Sequence, residues 1–217
     1  MKYTAIDAYT IDTEVVFGRP DRSLLFRSVK RGFDLVVCLL LLPIVAFFMV
    51  FLLVANRFGN PGALFYTQVR MGRNCAPIEV MKFRSMLAAP AVERGADDPL
   101  ETARITPLGR LIRRTRIDEL PQIVNVLRGE MSLIGPRPDY YPHAEHYART
   151  IPGYRARHAV RPGITGLAQV QLGYVQGIEE TRAKVAADLD YVRELGYLQE
   201  ARIVLSTIGV ILRGSGH

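Results

Sequence analysis

No charged, amide or hydroxyl side chain occurs between Leu35 and Ala55, twenty-one consecutive residues in a chain of 217. All 28 Lys and Arg and all 21 Asp and Glu, a formal net charge of +7, lie outside that run. Such a stretch excludes an ordinary soluble domain. No second run approaches the roughly 20 apolar residues that a spanning helix needs, so a polytopic transporter is excluded as well. Cysteine is scarce: Cys38 sits inside the apolar run and Cys75 beyond it, too few for a disulfide framework and consistent with a reducing compartment. There is no repeat with a period of 20 to 50 residues, no Gly-rich Walker or dinucleotide fingerprint, and no cluster of metal-ligand spacing around His143 and His146.

What is present can build a core. Hydrophobic content is 49%, with 10 Tyr and 9 Phe, which excludes disorder. Thirty-four polar or mixed residues precede the apolar run, and no small-residue cleavage site follows it, so a cleavable signal peptide is excluded. At 1.5 Å per residue the run reaches about 30 Å, the thickness of a hydrocarbon core. Pro43 divides it and predicts a kink. Five basic residues on one side (Arg19, Arg22, Arg27, Lys30, Arg31) face five on the other (Arg57, Arg70, Arg73, Lys82, Arg84), so charge counting does not orient a crossing. The residues alone leave a single span and a hairpin that returns to its own side both open.

Beyond the run, Leu64 to Val69 and Ile78 to Phe83 read as two short strands around Gly72 to Ala76. Thr106-Pro107 is a helix start, with Leu108, Leu111 and Ile112 on its apolar face and Arg110, Arg113, Arg114 and Arg116 on its basic one. Ile117 to Arg128 reads as a second helix opening at Asp118-Glu119, and Ser132 to Pro138 as irregular. Helices are predicted over Glu179 to Leu195 and on the Ile203, Val204, Thr207, Ile208, Ile211, Leu212 stripe, the latter able to lie in a membrane interface.

Asp118 and Glu119 follow the densest basic cluster of the chain. Carboxylates held ionised beside arginines can attack phosphorus or hold a divalent cation, and the same pair can equally be two capping carboxylates. Arg137 between Pro136 and Pro138, and Arg161 before Pro162-Gly163, are guanidiniums on pre-set backbone, suited to forking a phosphate. Lys82 and Arg84 alternate on a strand and would face one side. Several basic groups around one acidic pair suit a substrate with two or three phosphates. Nucleic acid is a poor second beside a membrane run.

Taken in order, Lys30-Arg31-Gly32-Phe33-Asp34, Lys82-Phe83-Arg84-Ser85-Met86, Ile117-Asp118-Glu119-Leu120-Pro121-Gln122, Asn125 to Ser132, Ile134-Gly135-Pro136-Arg137-Pro138 and Val160 to Val170 resemble the bacterial sugar transferases, the monotopic phosphoglycosyl transferases, from Lys30 to about Arg213. The resemblance implies transfer of a sugar 1-phosphate from a nucleoside diphosphate sugar, usually a UDP-sugar, to polyprenyl phosphate, with UMP released. It implies Asp118 as a nucleophile forming an aspartyl phosphosugar, Glu119 assisting, Mg²⁺ at Asp118, and Lys82, Arg113, Arg137 and Arg161 around the phosphates. It also implies an α+β, mainly helical fold: an extension over 1–29, a re-entrant membrane helix over 30–58 flanked by Lys30, Arg31 and Asp34 and broken near Pro43, and a catalytic domain over 59–217 with a short β-hairpin and amphipathic interfacial helices. Pro43 stands about a turn earlier than the family's usual Ser-Pro break, and Leu42 replaces the serine. The implied setting is the cytoplasmic face of a bacterial inner membrane, in a small-class enzyme without nucleic-acid partners; a homodimer is compatible with it. The alternative is a membrane-anchored, non-catalytic binding protein on the same scaffold, against which the intact Asp-Glu pair, Lys82 and both proline-flanked arginines stand.

Overall fold

A computed structural model describes residues 23–87, 95, 98, 101–173, 175 and 177–212. Most of the extension expected over 1–29, namely 1–22, most of 88–100, and 213–217 lie outside the described residues.

The apolar run is the middle of one helix, α1 (Leu24–Gly59), which Ser23 caps by accepting a hydrogen bond from Phe26 N at 3.2 Å. The break expected near Pro43 is not there: the helix runs through Pro43 without interruption, and it begins at Leu24 instead of Lys30. Packing explains why a missing amide hydrogen does not end it. Cys38 and Leu41 before the proline and Val45 after it press into one cluster with Val80, Ile123, Val126 and Met131, so both sides of Pro43 are held to the same support.

That support extends along the whole helix. Phe26 packs with Ile134, Tyr191 and Val192; Leu52, Phe48 and Met49 pack with Phe83 and Ile112. At the first end Lys30 Nζ donates to Ile134 O (3.1 Å) and to Glu200 (2.5 Å), and Arg31 donates to the carbonyls of Val126 (2.7 Å) and Leu127 (3.0 Å). Asp34, buried, accepts from Ser132 Oγ (2.8 Å) and Leu133 N (3.1 Å). At the other end Asn60, also buried, donates to Arg84 O at 2.7 Å. The stripe through positions 26, 30, 34, 38, 41, 45, 52 and 56 thus binds the rest of the molecule, as the helical period requires. The opposite face, with Val36, Leu40, Phe47, Val50, Val54 and Phe58, is exposed and wholly apolar.

The rest of the fold is mainly helical around two small sheets. An antiparallel hairpin pairs β1 (Phe65–Met71) with β2 (Pro77–Phe83), in the register Tyr66 opposite Lys82 and Arg70 opposite Ile78. Next come α2 (Pro107–Arg114), capped by Thr106 as expected, a 3₁₀ turn over Ile117–Gln122, and α3 (Ile123–Arg128). Two three-residue strands, β3 (Ser132–Ile134) and β4 (Gly163–Thr165), form a parallel pair that the Gly- and Pro-rich sequence concealed. Between them lie α4 (Tyr141–Thr150) and a 3₁₀ turn over Tyr154–Ala159; after them come α5 (Leu167–Leu172), α6 (Gly177–Arg193) and α7 (Tyr197–Leu212). The α7 stripe divides: Ile203 is buried and Thr207 meets Thr165 at 2.8 Å, whereas Leu205, Ile208 and Ile211 face outward.

Glycine makes the β3–β4 approach possible. A Cβ on Gly163 would lie 2.1 Å from Gly135 N and 2.4 Å from Thr165 O, and one on Gly166 would lie 2.2 Å from Gly135 O. These are backbone atoms, which cannot swing aside. Gly163→Ala is therefore expected to lower stability by about 2 kcal/mol or more, or to prevent folding. Gly32→Ala, in mid-helix with nothing within 4 Å of its Cβ, is expected to be neutral or to stabilise by roughly 0.5–1 kcal/mol. Denaturation of both variants in the same detergent checks the contrast.

Candidate active site

Four segments converge on Asp118 and Glu119. The first is the turn that carries them. Helix α2 ends at Arg114 with Thr115 as its C-cap, and Arg116 then takes a left-handed conformation (φ 59°, ψ 13°), which a non-glycine residue adopts only at a cost. This reversal drives Ile117–Gln122 into the interior as a tight 3₁₀ turn, where a helix opening at Asp118-Glu119 was expected. With about three residues per turn, neighbouring side chains point some 120° apart. The two carboxylates accordingly have different surroundings, although both are buried, at 5% and 6% exposure.

Glu119 is clamped by cations. Lys82 Nζ lies 2.7 Å from its Oε1, Arg137 forks it through Nη1 (3.1 Å to Oε2) and Nη2 (to Oε1), and Arg116 Nη1 is 3.7 Å from Oε2. Burial alone would raise its pKa, but Arg137 and Lys82 outweigh it and hold the carboxyl well below the usual range. Lys82 reciprocates in part: burial pushes its ammonium down to about 8, with Glu119 pulling upward and Arg137 and Arg70 adding to the fall.

Asp118 has no such clamp. Among the described residues its Oδ1 has no hydrogen-bond partner. Burial raises its pKa, Lys82 and Arg113 oppose the rise, and Glu119 adds to it. A buried carboxylate oxygen without a partner is costly, which makes it a candidate for contact with something not part of the chain. It fits Mg²⁺ in one respect: the ion commonly binds through one or two carboxylates, with substrate phosphates and water completing its shell. It needs no protein cage, and among the described residues no group of three acidic, histidine or cysteine side chains forms one.

The second segment is β2, which supplies Lys82. Asn125, buried in α3, ties the strand to the turn: it donates to Glu79 O (2.6 Å) and Glu130 (2.6 Å) and accepts from Met81 N (3.2 Å). Arg84, two residues on, packs over Gly62, whose added Cβ would lie 2.2 Å from Arg84 Nη1. The third segment is α2, which brings Arg113 within electrostatic reach of Asp118 and 3.8 Å from Met86 Sδ. This helix sits close because Gly109 admits the Ser85 carbonyl where a Cβ would be 1.9 Å away. The fourth is the Pro136–Pro138 loop, which supplies Arg137.

Of the residues singled out in the sequence, Lys82, Arg113, Asp118, Glu119 and Arg137 come together. Arg161 does not join them: it is exposed, and its charged neighbours are Arg31, Arg73, Asp34 and Arg27. Lys30, Arg31 and Asp34 are occupied with holding α1 to the domain. Two cations escaped sequence reasoning. The helical period places Arg116 on one face of a helix, and Arg70, in the charge count flanking the apolar run, lies near Arg137 and Glu119 and donates to Pro138 O at 2.7 Å.

Comparison with known proteins gives a consistent result. Residues 25–214 match the family model described as bacterial sugar transferase. A UDP-N-acetylgalactosamine-undecaprenyl-phosphate N-acetylgalactosaminephosphotransferase of Aeromonas hydrophila is 38% identical over 195 residues, 89% of this chain and 46% of that protein. A UDP-glucose:undecaprenyl-phosphate glucose-1-phosphate transferase of Caulobacter vibrioides is 39% identical over 191 residues, 84% of this chain and 69% of the relative. An exopolysaccharide production protein PSS of Rhizobium leguminosarum bv. phaseoli is 38% identical over 199 residues, 87% of this chain and 98% of the relative. The chain thus spans less than half of the first of these and nearly all of the last.

The unequal surroundings of the pair predict unequal stability effects. Glu119→Gln strips the common partner from three cations and is expected to cost about 3 kcal/mol. Asp118→Asn removes a buried charge that no neighbour fully compensates and is expected to be neutral or to stabilise by up to about 1 kcal/mol. Equilibrium denaturation in detergent checks both; equal losses would contradict the geometry.

Proposed function

The chain belongs to the bacterial sugar transferase family, and from that membership we propose that it transfers a sugar 1-phosphate from a UDP-sugar to polyprenyl phosphate on the cytoplasmic face of a bacterial inner membrane. The observation that carries this reading is the divided pair: one carboxylate fixed by three cations, the other buried, raised in basicity and left with an unpartnered oxygen.

In the proposed reaction an Asp118 oxygen attacks the phosphorus that bears the sugar. The bond from that phosphorus to the bridging oxygen breaks, its electron pair leaves with UMP, and an aspartyl phosphosugar remains. An oxygen of the lipid phosphate then attacks the same phosphorus and returns Asp118 as a carboxylate, leaving a sugar linked to the lipid through a diphosphate. Such chemistry depends on neutralising phosphate charge and on in-line placement. Lys82, Arg137, Arg116 and Arg113 supply the positive charge, and Glu119 keeps the first three in one place. A Mg²⁺ ion held by Asp118 and the substrate diphosphate would add charge neutralisation. The raised basicity of Asp118 suits the group that must attack, and the neutralised Glu119 is the weaker nucleophile of the two.

Access for a lipid follows from α1. Ile117 and Leu120, which flank the pair, pack in the cluster formed by Val45, Phe48, Met49 and Leu52 of that helix. The reactive turn therefore rests directly on the element whose other face is apolar and exposed, and the outward Leu205, Ile208 and Ile211 of α7 add a second apolar surface. Because both ends of α1 are bound to the domain, the helix would lie in the bilayer without leaving by the opposite face. A crossing would have to separate the buried Asp34 or Asn60 from its partners.

Two measurements test this reading. With UDP-sugars and polyprenyl phosphate, UMP release is expected from the parent protein. Asp118→Asn should lower it by several orders of magnitude at unchanged fold, since an amide does not attack phosphorus, while Arg137→Ala should be milder. Near-normal turnover in Asp118→Asn would remove the nucleophile. For topology, Ser28→Cys and Arg73→Cys, both at exposed positions, are expected to react with a membrane-impermeant thiol reagent only when the cytoplasmic side is opened; Cys38 and Cys75 are free but buried. Labelling of either introduced cysteine on intact cells would show a true crossing.

A further inference from the structure

Four consecutive backbone carbonyls around Arg137 each have a donor from outside the loop. Gly163 N donates to Pro136 O at 3.0 Å, Arg157 Nη2 to Arg137 O at 2.7 Å, Arg70 Nη1 to Pro138 O at 2.7 Å, and Met71 N to Asp139 O at 3.0 Å. Pro136 and Pro138 have no amide hydrogen, so much of the holding of this loop falls to its carbonyls. Two of the four donors are guanidiniums.

Arg157 is the more committed of the two. It is fully buried, and besides Arg137 O it contacts Asp188 Oδ2 through Nε (2.8 Å) and Nη2 (2.7 Å) and Asp139 Oδ2 through Nη1 (2.7 Å). Asp139 is held in turn by Tyr154 OH at 2.7 Å and by Lys184. No side chain of this cluster has a hydrogen bond to Asp118 or Glu119 among the described contacts. Buried ion clusters contribute little net stability compared with apolar filling of equal volume. Their best-attested service is fixed geometry, and the fixed object here is the main chain that aims Arg137.

We infer that Arg157 is a positioning residue for the transfer, acting through the Arg137 carbonyl to hold the Arg137 guanidinium against Glu119. This rests on reading Asp118 and Glu119 as the reactive pair. A displacement of about 1 Å in such a constellation is enough for roughly 100-fold in rate, and a guanidinium fork cannot be replaced by an ammonium, which cannot reach two carboxylates and a carbonyl in the same geometry.

A double-mutant cycle tests the inference. Arg157→Lys keeps a cation between Asp139 and Asp188 and is expected to lower kcat by roughly 10- to 100-fold, with KM for the nucleotide sugar changed less than about threefold. In an Arg137→Ala background the same change should cost less than about twofold, because the residue it acts through is gone. A kcat within twofold of the parent, or an undiminished loss in the Arg137→Ala background, would overturn the inference. Should Arg157→Lys fail to fold, Asp188→Asn takes its place in the cycle with the same criteria, since it leaves the guanidinium and removes the charge that orients it. A parent protein inactive with every UDP-sugar would sink the reading of the pair; an active parent with multiplying losses sinks the positioning role alone. Amide exchange needs no turnover and decides in either case: the Arg137 and Asp139 amides should exchange faster in the variant while α4 and α6 keep their protection, and unchanged exchange at those two amides would contradict the role.

Discussion

Taking a carboxylate almost wholly out of water at Glu119 is affordable only if cations are brought to it, and that requirement organises the molecule. Lys82 comes from a strand, Arg137 from a loop set by two prolines, and Arg116 from a left-handed turn at the end of a helix. None is near Glu119 in sequence except Arg116, so the ion cluster forms only when hairpin, loop and turn have docked. The supporting contacts serve this docking: Asn125 fastens β2 to α3, Gly109 lets α2 approach Ser85, and the Gly135, Gly163 and Gly166 backbones close on one another beneath Arg137. Once Glu119 is satisfied, no cation of the cluster is left to neutralise Asp118 to the same degree, and the pair becomes chemically unequal.

A second constraint runs along α1. Its inward stripe carries two charges and an amide, Lys30, Asp34 and Asn56, amid apolar residues, whereas the opposite face is apolar from Val36 to Val54. The polar residues of that stripe fix which face turns inward, because rotation of the helix would leave Asp34, Ser132 and Leu133 N without partners. Orientation of the helix and placement of Ile117 and Leu120 against it are then one event. The exposed apolar face of α1 and the turn that carries Asp118 and Glu119 are connected through a single layer of side chains, an arrangement that suits the proposed reaction between a dissolved nucleotide sugar and a membrane-bound phosphate.

Much of this was legible in the sequence. The uncharged run, the Thr106-Pro107 start, the paired strands and the acidic pair beside arginines are local signals, and each appears where its local chemistry placed it. Misreadings occurred where tertiary contacts override local preference. Pro43 signals a break, yet packing of Cys38, Leu41 and Val45 on one cluster carries the helix through it. Lys30, Arg31, Arg70 and Lys82 count as topology charges only if they face water near a lipid surface; here each is tied to a carbonyl or a carboxylate of the fold. Arg157 left no periodic or motif signal, and Arg116 only that of a helix's basic face, because a left-handed turn at a non-glycine residue and a buried guanidinium are both products of the assembled structure. Arg161 shows the converse, a proline-flanked arginine whose backbone packs under Gly135 while its side chain turns to solvent.

In the proposed mechanism Asp118, freed by the clamping of Glu119, forms a bond to phosphorus before the lipid does. That order is tested most directly by mixing stoichiometric protein with Mg²⁺ and a UDP-sugar that it turns over, in the absence of polyprenyl phosphate, and measuring UMP release together with the mass of the peptide containing Asp118. A covalent route through Asp118 predicts a burst approaching one equivalent of UMP and the added mass of one sugar phosphate on that peptide. An active preparation that releases no UMP until the lipid acceptor is added would contradict it and make the lipid phosphate the direct nucleophile.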